Sequence, residues 1–303
     1  MTSPRPLLGI GLMLLAMAIL PLIDVLAKFL GQAGLPILVV VWARALFGAA
    51  MTLPFALATE GARALRPAQP WHHLARAVLL FAATWCFFTA LKYLPIADTL
   101  AIFFVNPLIV TLLSALVLHE TVGPRRWAAV AVGFVGTLII IRPGMVEINP
   151  GTVLALLAGT SLGSYFVMTR QIAGKADANV LTFQTNAIGA ALLTLVLPFV
   201  WQMPEARQWL MLVGVGMIAT FGHILITKAY EQAEASLLAP LAFTEIVMAT
   251  LVGWWFFDDL PDRWTVLGVS ILIGSAIYIS LRERRATPDR VGAPLPLRPQ
   301  GPI

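Results

Sequence analysis

The sequence predicts an all-α integral membrane protein, ten transmembrane helices in two inverted five-helix repeats. Three observations carry that expectation. The chain is 59% hydrophobic and 12% charged over 303 residues, with mean hydropathy +0.86, roughly half the charged fraction of a soluble domain. Apolar runs of about 20 residues, the length a helix needs to cross hydrocarbon, recur along the whole chain. Segments of the first half match segments of the second.

The runs fall at 7–29, 35–58, 73–91, 97–118, 126–141, 150–169, 179–201, 208–229, 235–257 and 264–281. The first follows Arg5 and contains Ala-Met-Ala, as a secretory leader does. Its apolar character continues past that point and a similar run recurs later, so it is expected to be retained. The linkers are short and punctuated by Gly and Pro ("GQAGLP", "RPAQPWHH", "HETVGPRR", "DDLPDR"). None is long enough for a soluble domain. The expected division is a cytoplasmic N-terminus at 1–6, a first repeat at 7–145, a second at 146–282 and a disordered cytoplasmic tail, rich in Pro and Arg, at 283–303. The single cysteine, Cys86, excludes an internal disulfide and any thiolate metal site built from this chain alone; it reads as packing.

Orientation follows from the basic residues in the loops. With the N-terminus in the cytoplasm, fourteen of the 20 Lys and Arg residues fall on the cytoplasmic side, Arg63, Arg66, Arg76 and the C-terminal arginines among them. Five fall outside: Lys28, Lys92, Arg142, Arg207 and Arg263. Arg44 remains inside a span. The asymmetry predicts both termini inside and an even number of spans. It also accounts for the +5 net charge without nucleic acid.

The internal match sets 9–28 over 151–170, with Gly9 on Gly151 and Lys28 on Arg170. It also sets 103–120 over 242–259, with Phe104 on Phe243, Asn106 on Glu245 and Glu120 on Asp259. Five spans is an odd number, so the second half must enter the membrane upside down relative to the first. That is the plan of secondary transporters with a site near the midplane.

The stretches "WARALFG", "ALKYLPIADTLAIFFVNPLIVTLLSALVLHE" and "APLAFTEIVMATLVGWWFFDD" resemble the EamA-type drug/metabolite transporter superfamily over residues 7–282, and within it the bacterial aromatic amino-acid exporters. The resemblance implies ten helices, two inverted repeats and a central cavity lined by the first, third, fourth, sixth, eighth and ninth spans. It also implies residence in the bacterial inner membrane and export of small metabolites. One departure stands out: the fourth span ends Leu-His-Glu where a small residue before the Glu is usual.

Polar groups inside spans are the candidate site, because a charge at bilayer depth costs about 2.5–3.5 kcal/mol on insertion scales. Glu245 is the deepest. It reads either as a protonated carboxyl bonded to a neighbouring helix or as a cavity carboxylate that meets a substrate ammonium or a proton. Its repeat mate Asn106 precedes Pro107, which leaves the Phe103 carbonyl without its helical donor. Trp85 and Phe88, three residues apart, are expected to stack on an aromatic or cationic substrate. Ser164, Tyr165 and His223 complete the substrate-binding set, with His223 also a candidate proton relay. Asp24 and Arg44 are expected to form a gating or structural pair. Asp24 and Lys28 also share a face at i,i+4.

The expected function is a secondary transporter moving small amphiphilic metabolites, foremost aromatic or apolar amino acids, outward by alternating access. Its partners would be that substrate, the lipid bilayer and, as a candidate coupling ion, protons, with the chain a monomer or weak dimer. No cofactor or metal is expected. Export of cationic drugs is an alternative. A membrane-embedded prenyltransferase-like enzyme is a distant one: "DDLPD" (258–262) has the DxxxD spacing, but a second such cluster is missing, as are GxxxxGK[ST] and HExxH.

Overall fold

The computed structural model describes residues 6–117, 119, 123–142, 149–172, 177–232, 238, 241 and 243–286. Their regular structure is helical: α1 (Pro6–Ile19), α2 (Pro21–Gln32), α3 (Ile37–Glu60), α4 (Pro70–Ala90), α5 (Ile96–Phe103), α6 (Asn106–Val117), α7 (Pro124–Ile141), α8 (Pro150–Ile172), α9 (Ala178–Val196), α10 (Ala206–Gln232), α11 (Thr244–Phe257) and α12 (Arg263–Ala286). Five of them open on a proline. Its fixed φ suits the first helical position, where the missing N–H costs nothing. Residues 1–5 and 287–303 lie outside the described residues, and α12 runs on through Ala286, past the expected start of the tail.

Seven helical stretches are long and apolar enough to cross a membrane, and three further apolar helices are shorter. The shorter ones correspond to the runs expected at 126–141, 235–257 and 264–281. Two of the long stretches are broken. The first interrupts at Leu20–Pro21 and continues as α2. The fourth interrupts at Phe104–Val105, where Asn106 and Pro107 open α6. Leu241 and Phe243 have tight-turn geometry just before α11 begins.

Packing pairs α3 with α9, α7 with α12, α5 with α11, α1 with α10, and α4 with α8. Matching α1, α3, α4, α5 and α7 in order with α8, α9, α10, α11 and α12 leaves this set unchanged, since the first three pairs map on themselves and the last two on each other. Phe104 and Phe243, matched in the sequence, stack across the two halves with centroids 5.2 Å apart. The central apolar core draws on α2, α3, α4, α5, α8, α9, α10 and α11, with Leu30, Val40, Leu212 and Ala249 among its fully buried members. Cys86 is buried within it.

The interrupted stretch α5–α6 lies against α8. A Cβ at Gly159 would come within 2.5 Å of the Phe103 carbonyl oxygen, and one at Gly163 within 2.9 Å of the Asn106 carbonyl oxygen. This glycine pair lets α8 close over the break.

Candidate functional site

Two carboxylates open two helices that begin inside the bundle. Asp24 is in the first turn of α2, just after the Leu20–Pro21 break, and Glu245 is in the first turn of α11. A helix N-terminus presents unpaired N–H groups and a partial positive charge, which favours a carboxylate at that place. The two acids lie within electrostatic reach of each other, and Asp24 also within reach of Arg44 on α3. Arg44 in turn interacts with Tyr165 on α8 and with His223 on α10.

These groups come from five helices, yet they are not sealed. His223 is exposed, and Arg44, Tyr165 and Glu245 are half-buried; only Asp24 is buried, at 8% exposure. From charged groups that face one another and still keep accessible surface we infer a hollow between the helices. Such a wet space is where ionisable side chains are tolerated at membrane depth.

Asp24 and Arg44 do not form the expected ion pair. Arg44 Nη1 donates to Thr84 Oγ1 at 2.8 Å, and that hydroxyl donates onward to the Leu80 carbonyl at 2.9 Å. Asp24 does not pair with Lys28 either. Lys28 meets Asp259, beyond the end of α11, at 2.5 Å and lies 4.6 Å from the centroid of the Phe257 ring. The cause is reach. Lys28 is at the far end of α2, beside the loop between α11 and α12, whereas Asp24 sits one turn deeper, facing Arg44 and Glu245.

Four further expectations change. Trp85 shares an outward stripe with Trp71 and Val78, all exposed at seven-residue spacing, whereas Phe88 is packed in the core against Phe87. The two therefore do not form one stacking surface. The Phe103 carbonyl is not bare: Asn106 Nδ2 donates to it at 3.0 Å, and Gly159 covers it. Phe103 and Asn106 thus satisfy each other, with the Phe103 ring 4.9 Å from Phe87. Ser164 donates to the Thr160 carbonyl of its own helix at 2.9 Å. Of the predicted set, the structure gathers Glu245, His223 and Tyr165, together with Asp24 and Arg44.

One residue was missed. Arg76, counted from the sequence as a loop arginine, lies within α4 and is 1% exposed. Its Nε donates to Thr169 Oγ1 at 3.0 Å, and Nη2 reaches the Tyr165 hydroxyl at 3.5 Å. The signal was available: Pro70 at the first helical position puts Arg76 nearly two turns inside the helix.

A family model for the EamA-like transporter family matches residues 7–142 and again residues 149–281. The chain belongs to the EamA-like transporter family. It is a multi-pass membrane transporter of that family. The riboflavin transporter of Vibrio cholerae is 31% identical over 286 residues, spanning 93% of this chain and 95% of that one. The S-adenosylmethionine uptake transporter of Rickettsia prowazekii is 26% identical over 278 residues, spanning 92% and 94%. The pseudopaline exporter of Pseudomonas aeruginosa is 26% identical over 205 residues, spanning 66% and 71%. A solved crystal structure superposes with a TM-score of 0.64 at 22% identity, covering 93% of this chain and 98% of that one, a likeness of fold. These relatives thus carry small molecules, and their names describe both uptake and export.

Proposed function

We propose that this EamA-family chain is a secondary transporter for small amphiphilic zwitterions, foremost aromatic or apolar amino acids. It moves them outward across the bacterial inner membrane by alternating access. Ten spans in two inverted five-helix repeats, with both termini in the cytoplasm, supply the two halves that rock about the site. The observation that carries this reading is the charge arrangement around Asp24, which lies within electrostatic reach of both Glu245 and Arg44, while Arg44, Tyr165 and Glu245 keep accessible surface. An ammonium group meets the carboxylates and a carboxylate meets the Arg44 fork. The Tyr165 ring offers an apolar face beside them.

The count of charges favours a second reading. Two acids against one arginine leave one negative charge over when the substrate is a neutral zwitterion. A proton on one carboxyl removes it, which makes protons the coupling ion. An additional positive charge on the substrate also removes it, and S-adenosylmethionine, with a sulfonium beside its amino-acid head, supplies one. Riboflavin brings no ammonium to this pair of acids.

The test is uptake of radiolabelled phenylalanine, threonine, S-adenosylmethionine and a quaternary ammonium dye into proteoliposomes, with and without a pH gradient, for wild type, Glu245→Gln and Arg44→Gln. Phenylalanine accumulates with the gradient in wild type. Glu245→Gln loses at least about tenfold of that accumulation, a loss equal to about 1.4 kcal/mol, while retaining exchange. Arg44→Gln loses phenylalanine transport. Movement of S-adenosylmethionine alone establishes the second reading. Movement of the dye alone overturns both.

A further inference from the structure

Arg76 holds a guanidinium almost wholly removed from water whose Nη1 has no hydrogen-bond partner. Thr169 and Tyr165 take Nε and Nη2, and the guanidinium carbon lies 5.3 Å from the Tyr165 ring centroid. No carboxylate forms an ion pair with it among the described residues. Burying a cation with a bare donor is costly, so the arrangement calls for a purpose beyond packing. A guanidinium with a free N–H beside a second one is the donor set that a carboxylate takes in a bidentate pair.

Its surroundings connect it to the hollow and to one end of the bundle. Tyr165 is within electrostatic reach of Arg44 on one side and contacts Arg76 on the other. His73, one turn before Arg76 on the same face of α4, is 4% exposed, interacts with Arg76 and has an unpartnered Nδ1. His73 lines a 110 Å³ cavity together with Glu60, Arg66, Gln69 and Gln184. The loop charges assign that end to the cytoplasm. Arg44, Tyr165, Arg76 and His73 therefore form a chain of donors along α3, α4 and α8, leading from the hollow toward the cytoplasmic end. Asp24 and Glu245 are on α2 and α11, outside that chain.

We propose that Arg76 is a second carboxylate subsite, on the cytoplasmic side of Arg44, taken by the anionic end of the substrate. Tyr165 covers it in this conformation and uncovers it by turning aside. A substrate entering from the cytoplasm gives its carboxylate first to Arg76 and then to Arg44. The inference rests on the zwitterion reading above.

The experiment separates the two ends of the substrate. Thermal stability of the purified protein is titrated with 3-phenylpropionate, a carboxylate without an ammonium, with phenethylamine, an ammonium without a carboxylate, and with inorganic phosphate. The proteins are wild type, Arg44→Gln, Arg76→Gln, Arg76→Lys and the Arg44→Gln/Arg76→Gln double variant. Arg44→Gln keeps part of the response to 3-phenylpropionate, and the double variant loses it. Arg76→Lys, which keeps the charge and loses the fork, weakens 3-phenylpropionate binding at least threefold. The phenethylamine response stays the same in every variant, which a merely structural role for Arg76 would not allow. Complete loss of the carboxylate response in Arg44→Gln alone overturns the proposal. So does an unchanged carboxylate response in both Arg76 variants, or a parallel fall for both organic probes. If neither organic probe stabilises wild type while phosphate does so in an Arg76-dependent way, the anion subsite stands and the zwitterion reading falls. If none of the three stabilises wild type, both fall.

Discussion

At the scale of single residues, one device recurs: an acid placed where a helix begins. Asp24 and Glu245 do this inside the bundle, and Asp262 does it at the start of α12. Asp262 shows the energetics most openly. Its Oδ1 accepts from the backbone N–H of Thr265 at 2.8 Å and of Trp264 at 3.1 Å, and its Oδ2 pairs with Arg142 Nη2 at 2.7 Å. Partial burial alone would raise its pKa, but the Thr265 and Trp264 hydrogen bonds and the Arg142 charge outweigh it and hold the carboxyl below its ordinary 3.8. A depressed acid stabilises the fold above its unfolded value, and that contribution disappears as pH falls through the lowered value. The side chain of Asp262 is 41% exposed, so the ion pair adds little and the cap dominates. Asp262→Ala is therefore expected to cost about 1 kcal/mol of stability at pH 7. Thermal unfolding of the two proteins at a series of pH values checks this: the gap between them closes as the pH is lowered below 3.8. A gap that stays constant across that range would remove the charge from the explanation.

At the scale of elements, the decisive features are the helix breaks, and these separate what was legible in the sequence from what was not. Composition and spacing identified the apolar stretches, and the alignment of the halves placed Phe104 opposite Phe243, which do stack. The alignment could not show where a helix restarts. Glu245 reads from the sequence as a mid-span acid with nothing on its own helix to neutralise it. In the structure α11 begins at Thr244, so Glu245 sits in the first turn of a helix rather than in the middle of one. Pro107 reads as freeing the Phe103 carbonyl, but the next polar side chain, Asn106, folds back to take it. Trp85 and Phe88 share a face at three-residue spacing only loosely, and Trp85 is exposed where Phe88 is buried. Contacts between elements distant in sequence were likewise beyond reach, and Lys28–Asp259 is the case with a mechanical consequence. It ties the end of α2 to the loop after α11, joining the two halves at the end that the loop charges place outside. Ile96, at the start of α5, is fully buried near Gly253 at this end. In a Cys86→Ser background, Ile96→Cys is expected to react slowly with a membrane-impermeant maleimide, and severalfold faster once Asp259→Asn removes the tie. Equal labelling rates would show that the ion pair does not hold the outer end closed.

At the scale of the whole molecule, the packing of the helices is unchanged when the two halves are exchanged, and the family model matches each half separately. Two copies of an element set pack in this manner whether they enter the membrane parallel or inverted, so packing alone does not choose. We propose that the distribution of charge does, in favour of inversion. Basic residues cluster after α3 (Arg63, Arg66), in the first turn of α7 (Arg125, Arg126) and from the end of α12 onward (Arg282, Arg284, Arg285, Arg290, Arg298), and are sparse after α2 and α4. Only an odd number of spans per half, and hence inversion, places all the dense loops on one side. Inversion also suits alternating access, because two oppositely oriented copies can trade conformations and so move the opening from one face to the other. The expected result is that green fluorescent protein fused after residue 303 is fluorescent in cells, while alkaline phosphatase fused after residue 145 is active, one end of the chain in the cytoplasm and the junction between halves outside. If both fusions report the cytoplasm, the halves are parallel. The single site of Asp24, Arg44 and Glu245 would then need some other motion to open it to each side in turn.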